Sequence, residues 1–480
     1  MPYNDLRDFL DRLREENELI TVSRKVELAF EIGQAMQKSA AVSGPAILFE
    51  NNGTPYSLVG GIYNSRKKAL LAFEATEENV FSRILQGLAK PIAPILIENA
   101  PVHENIIHRE DVDLAKLPVP QYSPGDGGAY ITSAIVVSKD PETGITDMGN
   151  YRFQVISKNT LSFLAQPNHR FGKHIAKILK MGKTHYEAAL VIAVDPLMVY
   201  GCQFQVSEDT DDFAFVGGLR QKAVELVKCK TIDLQVPAHA EFVIEISIDL
   251  AQTVFEGPLG EYTGYYTPGS NKPVATVRAI THRNNPIFQA LLTGVPPTEN
   301  HILKQLPFEA SFYQRMKQLF PTIQKVAIPP SGGVSFYIVI AMEPRFSGEA
   351  RQAMLAAIAS NMRPKLVIVV NTDIDVQDPA QVEWALAFRM QPAEDVTLIE
   401  NVPAGPLDPS VSDAIPLDQR LGSAIGIDAT YPVGARVSSG DSNQTEETAA
   451  GQGLYFKVAE IPGWESYNFP ELAEFLDKER

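Results

Sequence analysis

The chain has 480 residues, with 42 Lys and Arg against 58 Asp and Glu, a formal net charge of −16. Hydrophobic residues make up 45% and charged residues 21%, an ordinary globular balance over about three domains' worth of chain. So acidic a chain lacks the basic footprint that binds phosphate backbones or anionic bilayers, so no nucleic acid and no membrane is expected as partner.

The predicted elements run as follows. Leu6, Phe9, Leu10 and Leu13 recur at helical spacing behind Asp5, a capping candidate. Ala46–Phe49 and Tyr56–Gly60 read as strands, Ser65–Gly87 as helical, and Pro91–Pro101 as a connector. From Ile131 to Thr281 the chain turns β-rich, with strands at Thr132–Ser138, Arg152–Ser157, Ala189–Val194, Phe242–Ile248 and Val274–Thr281. Between them lie turns or short helices such as Gly172–Met181 and Gly217–Val227. Many strands and few helices suggest a barrel or sandwich. Phe308–Leu319 is spaced as a linker helix. Strands at Val334–Met342, Lys365–Val370 and Val396–Glu400 then alternate with helices at Gly348–Ala359 and Asp378–Met390, the order of a separate α/β layer domain. Ser438–Gly453 is a polar, Gly-rich loop and Pro470–Glu479 a closing helix.

The two cysteines, Cys202 and Cys229, form no CxxC or zinc spacing and read as buried thiols in a reducing compartment. The polar start, Met1-Pro2-Tyr3-Asn4, is unlike a signal peptide, and no apolar run approaches the ~20 residues of a bilayer span. A cytoplasmic location is the expectation. No GxGxxG, GxSxG or HExxH is present, and Met181-Gly182-Lys183-Thr184 lacks the first glycine of a phosphate-binding loop.

The stretch that carries chemistry is Phe255-Glu256-Gly257-Pro258-Leu259-Gly260-Glu261-Tyr262-Thr263-Gly264-Tyr265-Tyr266. Two carboxylates five apart flank Gly-Pro-x-Gly, a tight loop able to aim both into one cavity. Like charges held close split their pKa values into one proton donor and one ionised partner. A solvated hairpin with two surface glutamates is the alternative. Asp147-Met148-Gly149-Asn150-Tyr151-Arg152, then Asn168-His169-Arg170, then Asp212 before Phe213-Ala214-Phe215, offer a second set. Asp147, His169 and Asp212 could ligate a hard or borderline divalent ion and leave room for a phosphate.

In this order, and with Lys365-Leu366-Val367 and the Gly422–Thr430 segment following, these residues resemble the UbiD family of reversible decarboxylases, from the first helix to about Thr430. The resemblance implies an α+β architecture. An N-terminal α/β segment (residues 1–115) precedes a split-barrel-like flavin-binding β domain (116–305) and a linker helix (306–325). A C-terminal α/β oligomerisation domain (326–460) and a tail helix (461–480) complete it. It implies prenylated FMN with Mn²⁺ or Mg²⁺ and K⁺ beside the phosphate. The Glu–Arg–Glu triad falls on Glu256, Arg152 and Glu261. Cofactor contacts fall on Met148, Gly149, Asn150, Tyr151, Arg152, Asn168, His169, Gln203, Phe204 and Lys365. The divalent ion falls to Asp147, His169 and Asp212, and K⁺ to backbone carbonyls of Met148, Gly201, Cys202 and Phe204. Asp stands at 147 where the family has Asn, and at 212 where it has Glu.

The implied activity is non-oxidative decarboxylation of an aromatic or heteroaromatic acid through a covalent adduct with the cofactor, releasing CO₂. Carboxylates and a guanidinium are no electron sink, so the cofactor takes the electron pair. Glu261, its pKa raised by burial and by Glu256, is the proposed proton donor, Arg152 orients Glu256, and His301 is the candidate substrate contact. Gly422–Thr430 is expected at the mouth of the site. A flavin prenyltransferase would supply the cofactor, and a homo-oligomer, dimer or hexamer, is expected. An FMN-dependent oxidoreductase and a non-catalytic assembly subunit of a larger carboxylase complex remain as alternatives.

Overall fold

The fold is described from a computed structural model. It covers residues 3–433 except 205, 406 and 413, together with the short strands Arg436–Ser438 and Tyr455–Lys457. The expected 438–453 loop, beyond its first residue, and the tail helix lie outside the described residues.

The first helix, Leu6–Glu15, is capped by Asp5, whose side chain accepts the Asp8 N–H. Leu6, Phe9, Leu10 and Leu13 face inward, as their spacing requires. Ion pairs lock it to the central domain: Arg7 grips Glu241 at 2.7 Å, and Asp5 meets Arg283 at 2.7 Å. A four-stranded sheet follows, in the order Leu19–Val22, Ala46–Phe49, Ser57–Gly60, Ile287–Gln289. The last strand arrives from more than 220 residues away and pairs in parallel with the third. One hydrophobic core therefore runs from Leu6 through the β-rich region to Ala310, and the expected N-terminal and central units share it.

The helical stretch expected over 65–87 is two helices, Arg66–Phe73 and Val80–Ala89. Glu74 adopts a left-handed conformation (φ 48°, ψ 49°) and ends the first. The span Gly217–Val227, expected as a turn or short helix, holds the end of a helix, Asp212–Arg220, and the first part of a strand, Glu225–Lys228. Gly217 and Gly218 serve close packing, because an added Cβ would come within 2.3 Å of the Ile92 carbonyl and 2.4 Å of the Gly87 carbonyl.

The centre is a curled nine-stranded sheet. Its order is Tyr130–Ile131, Phe153–Ser157, Thr160–Phe163, Ser270–His282, Phe242–Glu256, His185–Ile192, Ile135–Lys139, Thr146–Asn150, with Asn105–His108 also on Ser270–His282. The long hairpin of Phe242–Glu256 and Ser270–His282 is its spine, with register shifts at Glu245/Ile246 and Asp249/Thr253. It runs out to Glu256, so the Glu-Gly-Pro loop sits at its tip.

Helix Glu299–Leu319 bridges two cores: Ile302, Leu303, Leu306 and Ala310 belong to the first, Phe312 and Met316 to the second. It begins nine residues before the expected start. Pro307, which lacks an N–H, reads as a break but lies inside the helix, and the start is set by a Thr298–His301 capping box. The C-terminal domain is a five-stranded sheet ordered Ile323–Ala327, Tyr337–Met342, Leu366–Val370, Leu421–Ala429, Val396–Pro403. Helix Glu349–Ile358 covers one face against Ile338, Ile340, Val367 and Val369. Helix Pro379–Arg389 covers the other against Val339, Ala341, Ile368 and Val370. Strands buried on both faces read as continuous apolar runs, which is why this part was legible. Among the described residues no helix is long and apolar enough to cross a membrane.

Candidate active site

The loop after Glu256 is built so that only these residues fit. A Cβ on Gly257 would stand 2.4 Å from Gly127 Cα, so both glycines are needed for the two backbones to touch. Gly127 N–H donates to the Pro258 carbonyl (2.7 Å), and Gln154 Nε2 donates to the Gly127 carbonyl (2.7 Å). Gly257 N–H donates to Gln154 Oε1 (2.8 Å), and the Tyr130 hydroxyl donates to the Gly257 carbonyl (2.7 Å). Asp126 Oδ1 accepts Gly260 N–H (3.1 Å). Glu261 heads a tight turn: its carbonyl accepts Gly264 N–H (2.8 Å), and Gly264 takes φ +82°. Leu259–Gly260 pairs back on Tyr266–Thr267.

This clamp brings three segments together. Arg152, just before strand Phe153–Ser157, reaches Glu256 Oε1 with Nη2 (3.1 Å) and Nε (3.3 Å). Its Nη1 meets Glu261 Oε1. Ser162 Oγ donates to Glu256 Oε2 (3.2 Å). Glu256 is 1% exposed, and the Arg152 and Glu261 side chains are 11% and 13% exposed, so the pairs form in a water-poor setting that still has an opening. The two carboxylates do not face each other bare, since one guanidinium stands between them. Burial, then the Glu256 charge, pushes the Tyr130 hydroxyl above its ordinary range.

A second group forms around Arg170, the first residue of helix Arg170–Lys180. Arg170 Nε lies 3.1 Å from Asp147 Oδ1 and Nη1 lies 2.6 Å from Asp212 Oδ1, while Nη2 donates to the Thr210 carbonyl at 3.2 Å. Asp212 Oδ2 accepts Met148 N–H (2.7 Å). Asp147 Oδ2 is buried with no hydrogen-bond partner. Burial pushes the Asp147 carboxyl up to about 7, against the pull of Arg170 and with a further push from Asp212. Cys202 lies close enough that, after burial, the charges of Asp212 and Asp147 raise its thiol. His169 is exposed at the helix N-cap. The enclosing protein, then the Lys304 charge, pull its imidazole down. Among the described residues no three His, Cys, Asp or Glu side chains form a metal-holding group. The structure thus unites Asp147 and Asp212 through Arg170 but does not close the expected set with His169. Arg170 had no assigned role in the sequence, although it follows His169 directly.

The remaining expected residues scatter around these groups. Asn150 Nδ2 donates to the Thr132 and Ala134 carbonyls (3.3 and 3.0 Å). The Tyr151 ring packs on Phe171 and His169 (centroids 5.2 and 6.2 Å). Asn168 is exposed. Met148 and Gln203 are buried, and Gly149 has no room for a side chain against the Tyr151 ring. Gly201 ends helix Pro196–Gly201, and Phe204 packs edge-on against Phe215. A cavity of about 420 Å³ opens beside Phe204, lined also by Ser207, Thr210, Gln314 and Arg315. Lys365 pairs with Asp408 (3.1 Å) and Ser410 (2.8 Å), and the Asp408 charge reaches Tyr262.

His301 departs from the expected substrate contact, for a physical reason. It is fully buried at the third position of its helix. Thr298 N–H donates to His301 Nδ1 (3.1 Å), so Nε2 carries the proton and donates to the Tyr262 carbonyl at 2.6 Å. Both ring nitrogens are taken by the protein. Burial pulls the imidazole down to about 4, so it is neutral near pH 7. Its work is to pin the residue after Glu261.

Three domain models match the chain: the N-terminal domain of 3-octaprenyl-4-hydroxybenzoate carboxy-lyase over residues 10–88, its Rift-related domain over 95–296, and its C-terminal domain over 301–429. An uncharacterized protein of Archaeoglobus fulgidus is 31% identical over 453 residues, 90% of this chain and 92% of its own. The UbiD-class enzyme HmfF from Pelotomaculum thermopropionicum, solved in complex with FMN, is 32% identical with a TM-score of 0.86, covering 98% of this chain and all of its own. An evolved dimeric form of HmfF was solved in complex with prFMN. The vanillic acid decarboxylase of Sedimentibacter hydroxybenzoicus, in its open form, is 29% identical over the whole of both chains, with a TM-score of 0.83.

Proposed function

The chain belongs to the UbiD family of carboxy-lyases, and on that premise we propose that it decarboxylates an aromatic or heteroaromatic acid reversibly with prenylated FMN. The observation that carries this reading is the buried line Glu256–Arg152–Glu261, one guanidinium held between two carboxylates of a single loop.

The prenylated flavin, when bound, supplies the electrophile that accepts the electron pair left as the C–C bond to CO₂ breaks. The chain's own residues do the rest. Arg152 is the cation best placed to receive the substrate carboxylate. Drawing Arg152 toward substrate would part it from Glu261 and leave that carboxylate free to take up a proton from solvent. Glu261 then delivers that proton to the carbon that CO₂ has left. Glu256, paired with Arg152 and bonded by Ser162, holds the guanidinium in place. The clamp of Gly127, Gln154 and Tyr130 keeps both carboxylates in register.

The flavin phosphate would meet the Arg170 group and the adjoining cavity at Phe204. The orphaned Asp147 Oδ2 has the character of an oxygen left for a cation. Asp147 and Asp212 would hold Mn²⁺ or Mg²⁺ there, with His169 alongside, and backbone carbonyls of Met148, Gly201, Cys202 and Phe204 would hold K⁺. Their service is to neutralise the phosphate.

Glu261→Gln, isosteric but unable to deliver a proton, is the direct test. Flavin content should stay at the wild-type level while decarboxylation falls by at least about a hundredfold, the usual worth of a positioned acid. Full activity in that variant removes Glu261 from the proposed role.

A further inference from the structure

The bond that Glu256 makes to Ser162 crosses a strand, and Lys272 is the residue it crosses. Strands Phe242–Glu256, Ser270–His282 and Thr160–Phe163 lie side by side with Ser270–His282 in the middle. Glu256 pairs with Ser270 and Val254 with Lys272, so Glu256, Ser270 and Lys272 share one face of the sheet. On the other side Ser162 pairs with Val274, two residues beyond Lys272 and on that same face. Ser162 Oγ donates to Glu256 Oε2 at 3.2 Å. On the strand between them, the residue of this face that lies between Ser270 and Val274 is Lys272. Burial agrees with the register: Glu256 is buried and Val254 and Lys272 are half-buried, while Phe255 and Asn271, on the opposite face, are exposed. Glu256 and Lys272 are therefore diagonal neighbours, roughly 7–8 Å apart at the backbone, a span that long side chains cover.

The Lys272 side chain has no ion pair or hydrogen bond among the described residues. Burial lowers its ammonium from the ordinary range; Glu256 opposes this and Arg152 adds to it. The formal charges beside it do not balance, because Glu256 and Glu261 share the single guanidinium of Arg152. A substrate carboxylate drawn to Arg152 divides that cation further. Glu256 is 1% exposed, and a buried carboxylate that loses part of its counter-charge is costly. Ser162 brings a hydrogen bond but no charge.

Resting on the decarboxylase reading, we propose that Lys272 is a positioning residue, the second cation for Glu256. At rest Arg152 and Ser162 occupy both oxygens of that carboxylate. When Arg152 turns to the substrate carboxylate, Lys272 extends along the shared face to the oxygen given up. Glu256 then stays in place and keeps its hold on the guanidinium. Glu261 needs no such cation, since in the reaction it takes up a proton. Lys272 touches no reacting atom and acts through Glu256.

The test uses full-length protein loaded with FMN, benzoate as the probe and quenching of flavin fluorescence as the readout, so that binding is measured without turnover. Lys272→Met should weaken benzoate binding about fivefold or more, with flavin content unchanged, and Lys272→Arg should stay within about twofold of wild type. In a Glu256→Gln background, which has no charge to compensate, Lys272→Met should change binding by less than about twofold. Unchanged binding in Lys272→Met overturns the proposal. So does an equal loss in both backgrounds, which would have the lysine act on benzoate or flavin directly. A second pair of measurements needs no ligand. Without Arg152, Lys272 is the cation left to Glu256, so Lys272→Met should lower the melting temperature by about 2 °C or more in an Arg152→Met background and by less than about 1 °C in the otherwise wild-type chain. Equal shifts in the two backgrounds overturn the proposal. A wild type that takes up no flavin, or gives no saturable response to benzoate, counts against the decarboxylase reading instead, and the melting pair still decides whether Lys272 serves Glu256.

Discussion

Glu299 shows how much a single buried carboxyl shapes this site. It is 1% exposed, its Oε1 accepts Tyr63 N–H (3.2 Å), and its Oε2 accepts Leu292 N–H (3.1 Å). Burial outweighs these bonds and pushes its pKa from 4.5 up to about 7. An acid whose folded pKa is raised holds its proton longer in the folded state, so its stabilising share is full at acid pH and is lost as pH rises from about 4.5 through 7. A shift of that size corresponds to something on the order of 3 kcal/mol. The stability of wild type relative to Glu299→Gln should therefore decline between pH 5 and pH 7.5, read from paired chemical denaturations. A difference that does not change with pH would contradict this. At this scale the closeness of Glu256 and Glu261 was legible because they lie five positions apart and glycine and proline fix what lies between. His301 was not, because its decisive partner, the Tyr262 carbonyl, comes from 39 residues away. Arg170 was also missed: the contacts that single it out are to Asp147 and Asp212, both distant in the chain.

Elements announce themselves when local chemistry and burial agree. The first helix did, with its Asp5 cap and inward Leu6, Phe9, Leu10 and Leu13, and so did the doubly covered strands Tyr337–Met342 and Leu366–Val370. The misjudged elements are those where packing overrides a local signal. Pro307 reads as a break but is carried inside a helix anchored in two cores. Gly217 and Gly218 let a helix press on neighbouring backbone. The same close approach governs the Glu-Gly-Pro loop and gives a prediction. Gly257→Ala puts a methyl 2.4 Å from Gly127 Cα, so one backbone must move and carry Glu256 and Glu261 with it. Turnover should drop at least about tenfold, since small misplacement of catalytic groups is expensive, with little loss of flavin. Wild-type turnover in that variant would show that the loop tolerates what its packing forbids.

Across the whole molecule, function depends on connections between distant stretches of chain. Strand Ile287–Gln289 returns to the N-terminal sheet and joins two expected units around one core. Helix Glu299–Leu319 starts beside the Glu256–Tyr266 loop and ends in the C-terminal core, so Tyr262, the residue after Glu261, is held by an element common to both. Fold class could be read from the sequence because the signals of its elements are contiguous, as could the placing of Glu256 and Glu261 on one loop. The joining of the first two units could not, because parallel pairing across more than 220 residues leaves no local pattern. We propose that this assembly holds a prenylated flavin over Glu256, Arg152 and Glu261. The most direct test is the mass of the small molecule released from the full chain after co-expression with a flavin prenyltransferase. The expected mass is that of prenylated FMN. Unmodified FMN alone, or no flavin at all, would contradict it.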